Sequence, residues 1–157
     1  MGLPLYGQNK ADDSLDYIGD GKLGNSVSQV DADKYIHPAD LKGAITVVTV
    51  DVAASSGAKT IYIPSAVTCA NQQVDVLWTV ASNAQATVVE AQAGYMLGAV
   101  LAQNGSGSTI VQSDGTDTKI TVNDDIEPGT RLSFYSNGTN WICSGAVLSA
   151  DADPAFS

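Results

Sequence analysis

The stretch Val74-Asp-Val-Leu-Trp-Thr-Val80 decides the fold class, because its apolar side chains recur at every second position. Successive side chains of a β-strand point to opposite faces of the sheet, so this period predicts a strand with one buried face. The buried face is expected to hold Val74, Val76, Trp78 and Val80. The same period recurs near the C-terminus, where Leu132 and Phe134 are expected to face another part of the core.

Seven further short segments are rich in β-branched and aromatic residues and are separated by Asn, Asp, Gly, Ser and Pro. They span residues 45–52, 60–63, 87–90, 109–111, 119–122, 131–135 and 141–143. Residues 95–101 fit a strand or a short helix equally well. Many short strands with turn signals between them indicate an all-β sandwich or barrel. We predict a jelly-roll-like antiparallel β-sandwich over residues 44–148.

The segments that flank this predicted domain differ from it in composition. Residues 1–43 hold four of the seven basic residues, and their apolar residues follow no regular period. A short helix is predicted over residues 38–42, with a proline at its first position and a glycine just after its end. The rest of residues 1–43 is predicted to be an extended N-terminal arm, and residues 149–157 a solvated C-terminal tail.

The charge balance excludes several classes of partner. Seventeen Asp and Glu against seven Lys and Arg give a net charge of −10, whereas phosphate-backbone binding needs clustered basic residues. We therefore expect neither nucleic acid nor a membrane as a partner. No apolar run reaches the ~20 residues of a transmembrane helix, and the first ten residues lack a signal-peptide pattern, so synthesis in a host cytoplasm is expected. In that setting Cys69 and Cys143 are expected to be buried free thiols.

Three patterns that suggest chemistry are better explained by local structure. Gly19-Asp-Gly-Lys-Leu-Gly24 matches a dinucleotide-binding fingerprint, but its flanks predict neither the strand nor the helix that such a site needs. His37, the only histidine, has no nucleophile on a sharp turn to activate. The acidic segments 114–117 and 123–127 could offer oxygen ligands to calcium but lack its loop spacing, and we interpret them as turns. No catalytic residue, metal site or cofactor is expected.

The most informative motif is the segment Leu132-Ser-Phe-Tyr-Ser-Asn-Gly-Thr-Asn-Trp-Ile-Cys143, which predicts a hairpin. Its Asn137-Gly138 pair favours a type I′ turn, because both central residues of that turn take a positive φ. The segment resembles the terminal hairpin of many tailed-bacteriophage virion proteins, both fibre modules and capsid decoration domains. The specific part of this resemblance covers residues 136–141, and a looser one extends over residues 58–148.

The acidic, Lys-poor composition, rich in Ala, Val, Thr and Gly, is also similar to that of capsid decoration (cement) proteins. This resemblance implies a structural protein without catalytic residues, a homotrimer that binds the major capsid protein on the outer surface of the virion and stabilises the head. Two alternatives stay open. One is a tail fibre, spike or baseplate module, and the other is a small carbohydrate-binding protein or enzyme that uses Trp78 or Trp141.

The N-terminal arm is expected to carry the capsid contact. It keeps apolar and aromatic residues without the period that would fold it alone, and such residues are what a bound interface buries. The expected docking residues are Leu3, Leu5, Tyr6, Tyr17, Ile18, Tyr35 and Ile36.

Overall fold

The fold is built almost entirely from β-strands. The computed structural model describes residues 25–29, 33–41, 46–50, 58–79, 81, 86–123, 125–150 and 153–157, with 25–29 and 46–50 described by their backbone. The strands are β1 Asn25–Gln29, β2 Lys34–Tyr35, β3 Thr46–Val50, β4 Lys59–Ile63, β5 Gln73–Trp78, β6 Thr87–Ala91, β7 Met96–Asn104, β8 Gly107–Gln112, β9 Lys119–Val122, β10 Arg131–Ser136, β11 Trp141–Leu148 and β12 Ala155–Phe156. The predicted all-β class is confirmed, and the ambiguous segment 95–101 contributes to a strand, β7.

A single turn of 3-10 helix covers Pro38–Leu41 within the described residues, where the sequence predicts a short helix. The carboxylate of Asp40 accepts a hydrogen bond from the backbone N–H of His37, and the backbone N–H of Asp40 donates to the carbonyl of His37. These two bonds close the turn at its N-terminal end, as an acidic residue in a first turn does. In the ranges that the structure describes, no helix is long and apolar enough to cross a membrane.

The strands form two sheets. The larger sheet has seven strands in the order β1-β3-β5-β10-β11-β7-β8, and the smaller has five in the order β12-β9-β6-β4-β2. Along the first half of the chain, consecutive strands alternate between the sheets. The pairs β1 and β2, β3 and β4, and β5 and β6 therefore each add one strand to the larger sheet and one to the smaller sheet.

This alternation makes both sheets mixed, so the predicted antiparallel pairing is wrong. Strands β1, β3 and β5 run parallel in the larger sheet, as do β2, β4 and β6 in the smaller one. The pair β7–β11 is also parallel, over eight residues. An alternating sequence reveals which face of a strand is buried, but it carries no information about the direction of the neighbouring strand.

The buried faces of both sheets pack against each other in one hydrophobic core. The larger sheet contributes Val74, Val76, Trp78, Leu132 and Phe134, all at most 1% exposed, which confirms the predicted register of β5 and β10. The smaller sheet contributes Ile61, Ile63, Val89, Ile120 and Val122. Val80, the fourth residue of the predicted apolar face, lies outside the described residues.

The predicted arm and tail both contain residues that belong to the sheets. In the segment assigned to the arm, β1 pairs with β3 and β2 pairs with β4. Leu41 from the same segment is buried in the core. In the segment assigned to a solvated tail, β12 pairs with β9, and Phe156 packs against the core. The sheets thus extend beyond residues 44–148 at both ends.

Candidate interaction surface

The terminal hairpin turns through a four-residue loop, residues 137–140, between β10 and β11. The side-chain oxygen of Asn137 accepts hydrogen bonds from the backbone N–H groups of Thr139 (2.9 Å) and Asn140 (2.8 Å). Gly138 has a φ of +87°, whereas Asn137 does not have a positive φ. The predicted two-residue type I′ turn is therefore wrong, because the Asn137 side chain shapes a longer loop instead.

The base of the hairpin is fixed to the core by two polar side chains. The indole N–H of Trp141, a fully buried residue, donates to the carbonyl of Pro64 at 2.9 Å. The hydroxyl of Ser136, also fully buried, donates to the carbonyl of Ala66 at 2.6 Å. Both bonds join the hairpin to the connection that follows β4. Ser136 and Trp141 therefore anchor the hairpin to the core and are not displayed to a ligand.

The burial of the two tryptophans also bears on carbohydrate binding. Trp78 and Trp141 are each at most 1% exposed. A sugar stacks on the face of an aromatic ring that solvent can reach. Neither ring offers such a face, so a carbohydrate site built on these two residues is excluded.

The expected docking residues divide into three groups. Leu3, Leu5, Tyr6, Tyr17 and Ile18 lie outside the described residues. Ile36 is 1% exposed and belongs to the hydrophobic core, so we remove it from the docking set. Tyr35, its neighbour on β2, is 51% exposed and stays accessible to a partner.

Tyr35 begins a polar and aromatic row on the outer side of the smaller sheet. Its ring stacks on that of Tyr62 in β4, with centroids 4.3 Å apart and planes 14° from parallel. The strand register continues the row through Glu90 of β6 to Lys119 of β9. Desolvation, and then the neighbouring Tyr62 phenol, raise the pKa of the Tyr35 phenol. Tyrosine is enriched at protein interfaces, whereas Glu and Lys are depleted there, so the exposed Tyr35 is the residue of this row best suited to a protein partner.

A buried carboxylate that sequence analysis missed lies on the opposite face of β5 from Trp78. Asp75 is 3% exposed and forms an ion pair with the guanidinium of Arg131 on β10. The side-chain amide of Gln73 donates a further hydrogen bond to Asp75 at 2.9 Å. The alternation of the strand predicts that Asp75 points away from the core, but not that neighbouring strands cover it. These bonds compensate the loss of hydration that burial imposes on a carboxylate.

The acidic segment 114–117 satisfies its own hydrogen bonds. One carboxylate oxygen of Asp114 accepts from both the backbone N–H and the hydroxyl of Thr116, and these bonds lower the pKa of Asp114. The carboxylate of Asp117 in turn accepts from the backbone N–H of Asp114 at 2.9 Å. Across the described ranges, no group of three or more His, Cys, Asp or Glu side chains is placed to hold a metal ion. These contacts agree with the interpretation of this segment as a turn.

Both cysteines are buried free thiols, as predicted. Burial raises the pKa of the Cys143 thiol to about 12. Burial also raises the pKa of the Cys69 thiol, although the hydroxyl of Thr68 opposes this effect. The thiolate is the reactive form of cysteine, so neither residue is suited to nucleophilic chemistry.

Two other patterns singled out in the sequence form no chemical site in the described residues. The glycine pattern 19–24 lies outside the described residues. His37 is exposed and immediately precedes the 3-10 helix.

The best-formed cleft in the described part of the chain is shallow and nearly uncharged. Its volume is about 360 Å³, and Gln103, Asn104, Glu127, Leu148 and Ser149 contribute to its walls. Among the described residues that line it, Glu127 is the single ionisable one. General acid–base catalysis by a pair of groups would need a second one within hydrogen-bonding reach. The described residues of its lining can form hydrogen bonds but supply no acid–base pair.

Comparison with known proteins found no matching family model, no matching curated protein and no matching solved structure. A function must therefore be argued from the residues of this chain alone.

Proposed function

We propose that this chain is a tailed-bacteriophage capsid decoration protein, which binds the major capsid protein on the outer surface of the virion and stabilises the head. The observation that carries the proposal is the terminal hairpin. The residues through which it resembles phage virion proteins, 136–141, form and anchor the loop, so the resemblance concerns one structural unit. The motif is short, but it combines a loop that the Asn137 side chain holds by hydrogen bonds with a buried residue, Trp141, that fixes the loop to the core.

The architecture supports a structural role. Two sheets that bury their faces in one core are consistent with a β-sandwich, and we include that architecture in the proposal. The jelly-roll connectivity has less support, because a jelly roll is antiparallel and half of the ten described strand pairs here are parallel.

The capsid contact is assigned to residues 1–24 together with the exposed Tyr35. Leu3, Leu5, Tyr6, Tyr17 and Ile18 supply the apolar and aromatic groups of this contact, and Tyr35 adds one from the edge strand β2. We place the boundary of the docking segment at residue 24, because β1 and β2 pair with the body.

The proposed mechanism is mechanical. A homotrimer carries three copies of the docking segment, and attachment of one copy raises the effective concentration of the others near the lattice. Weak individual contacts then add up to stable attachment across neighbouring capsid subunits. The net charge of −10 keeps decorated particles apart, because it gives their outer surfaces the same sign.

Co-sedimentation with capsids tests the docking assignment. The triple substitution Leu3→Ser, Leu5→Ser and Tyr6→Ser is made in the full chain and mixed with heads that lack this protein. We expect wild-type protein to sediment with the heads and the triple variant to lose at least about tenfold in affinity, since buried apolar anchors dominate interface energies.

The matched control replaces two exposed loop residues, Val67→Ser and Tyr95→Ser, which are 66% and 47% exposed. This control variant should bind like wild type. Circular dichroism of all three proteins verifies that they are folded. Undiminished binding of the triple variant would move the contact away from the N-terminal segment. Titration calorimetry against a glycan panel separately tests the carbohydrate-binding alternative.

A further inference from the structure

The outer face of the larger sheet is defined here as the side of β5, β10, β11, β7 and β8 that points away from the core. Two mainly apolar cross-strand rows run over it, with Ser133, Ser144, Ala99 and Gln112 in the row between them. One passes from Arg131 through Ala146 and Leu101 to Ile110, and the other passes through Tyr135, Ile142 and Leu97. Exposed fractions are 70% for Ile110, 45% for Leu101 and 42% for Tyr135. Half of the six large apolar residues that are exposed in the described chain therefore lie on this face.

The same face carries no net negative charge, although the chain is strongly acidic. Residues 91–113 and 128–150, which include β7, β8, β10 and β11, contain no Asp or Glu. The one acidic residue of β5, Asp75, is buried and paired with Arg131. Two molecules with a net charge of −10 repel each other, and this repulsion is weakest where neither presents a carboxylate. The outer face is therefore the described surface best suited to contact with another copy.

The edge strand β8 adds a second, independent feature. It lies at the end of the larger sheet, and its sequence Gly107-Ser-Thr-Ile-Val-Gln112 contains neither a charged residue nor a proline. Soluble proteins commonly place such residues on exposed edge strands to prevent association with other chains. Their absence from β8 is expected if another molecule covers this part of the sheet.

The dimensions of the face suit a protein interface. Strands β7 and β11 have nine and eight residues, which at about 3.3 Å per residue gives a length of roughly 26 Å. Five strands about 4.8 Å apart have four spacings between them and span roughly 19 Å, so the flat area is about 500 Å² per copy. Protruding side chains make the accessible area larger than the flat area. The accessible area is therefore of the same order as the ~800 Å² that each partner buries in a stable complex.

We propose that further copies of this chain cover the outer face in solution, so that it is the self-association interface of the protein. This inference rests on the homo-oligomer included in the proposed function and locates its contact. Ile110, Leu101 and Tyr135 are its apolar anchors, and β8 lies at its margin.

Light scattering after size-exclusion chromatography tests the interface. Wild-type protein is expected to have a mass that is three times 16.1 kDa. The double variant Leu101→Asp and Ile110→Asp is expected to fall to a single 16.1 kDa chain and to keep its circular dichroism spectrum. The control Val67→Asp, at a position that is similarly exposed, is expected to keep the wild-type mass. A monomeric wild type, or a double variant with the wild-type mass, overturns the proposal.

A cross-linking variant keeps the proposal testable if the double variant does not fold. Both native cysteines are buried, so Ile110→Cys introduces an accessible thiol that a short bismaleimide can join only to another chain. We expect cross-linked oligomers from Ile110→Cys and none from Val67→Cys. Equal cross-linking of the two variants overturns the proposal.

The two proposals fail separately in these experiments. If wild-type protein is monomeric but sediments with heads, the capsid function stands, and the outer face is covered by the capsid or by residues 1–24. If the protein assembles through Ile110 but does not bind heads, the interface stands and the decoration function is lost.

Discussion

At the scale of single residues, the two tryptophans have different hydrogen bonding despite equal burial. The indole N–H of Trp141 donates to Pro64, whereas that of Trp78 is buried without a partner. An unsatisfied buried donor reduces stability, so the contribution of Trp78 must come from the packing of its ring. Val74 and Val76, which lie on the same face of β5, belong to the same buried cluster as this ring.

The substitution Trp78→Ala is predicted to lower the free energy of unfolding by about 3–5 kcal/mol, the usual cost of removing a large buried aromatic side chain. Urea denaturation followed by circular dichroism measures this change. Val67→Ala, at an exposed position, serves as the control and should change stability by less than about 0.5 kcal/mol. A Trp78→Ala protein as stable as wild type would contradict the observed packing.

The Asp75–Arg131 pair leads to a prediction about a buried charge. Replacement of Arg131 by Met leaves the Asp75 carboxylate buried with Gln73 as its remaining partner from this cluster, and should cost about 1–3 kcal/mol. Arg131 is itself 57% exposed, so the loss is smaller than for a fully buried pair. The double variant Asp75→Asn and Arg131→Met should recover part of this loss.

Urea denaturation of the two single variants and the double variant gives the coupling energy of the pair. Equal effects of Arg131→Met in the presence and absence of the Asp75 carboxylate would show that the two side chains do not interact.

The sequence was sufficient to predict which residues of β5 and β10 face the core, because that depends only on alternation along each strand. It was not sufficient for Asp75. Whether a side chain on the outer side of a strand is covered depends on the neighbouring strands, which are distant in sequence. The sequence did not predict the shared surface of Ile110 and Leu101 for the same reason, because this surface forms only when β7 and β8 pair.

At the scale of elements, the close approach of β7 and β11 explains why a glycine, Gly98, lies in this parallel pair. Gly98 of β7 lies opposite Cys143 of β11 and has a φ of +125°. A Cβ atom at this position would collide with the carbonyl oxygen of Cys143. Both the backbone conformation and the space available therefore require glycine here.

We predict that Gly98→Ala lowers the free energy of unfolding by about 3–5 kcal/mol, the combined effect of backbone strain and overpacking. Gly107→Ala is the matched control, because Gly107 also has a positive φ but a methyl group added there would meet no other atom. It should cost only about 1–2 kcal/mol, from strain alone. Thermal or urea unfolding measures both, and equal losses would contradict the close approach of β7 and β11.

Strand positions could be predicted from the sequence, but strand partners could not. The segments 60–63, 87–90, 119–122 and 131–135 all lie in strands of the structure. The Gly- and Asn-containing segments between them indicate turns. Several of these turns carry the chain from one sheet to the other, as the connection between β4 and β5 does. A turn signal predicts a change of direction, not the sheet that the chain enters next.

At the scale of the whole molecule, the uneven distribution of charge links the two proposals. Residues 1–43 hold four of the seven basic residues but also seven acidic ones, whereas residues 91–113 and 128–150 contain a single basic residue and no acidic one. The outer face of the larger sheet can therefore approach a like-charged copy, whereas the proposed docking segment 1–24 is itself net acidic and relies on its apolar and aromatic residues. Assembly and capsid attachment would then use different surfaces, which a decoration protein needs in order to do both at once.

The composition of the sequence assigns the proposed capsid contact to the N-terminal segment, but it does not give the boundary of that segment. Apolar residues without a period are equally compatible with docking on a partner and with docking on the body of the same chain. Tyr35 and Ile36 illustrate this, since they are adjacent in sequence, yet Ile36 is in the core and Tyr35 is accessible.

The central claim, attachment to the capsid surface, is tested most directly by electron microscopy of virions labelled with gold-conjugated antibody against this protein. We predict label distributed over the faces of the head, and loss of that label from particles produced with the Leu3→Ser, Leu5→Ser, Tyr6→Ser variant. Label confined to the tail or the baseplate, with the head faces bare, would contradict the claim and favour a tail module.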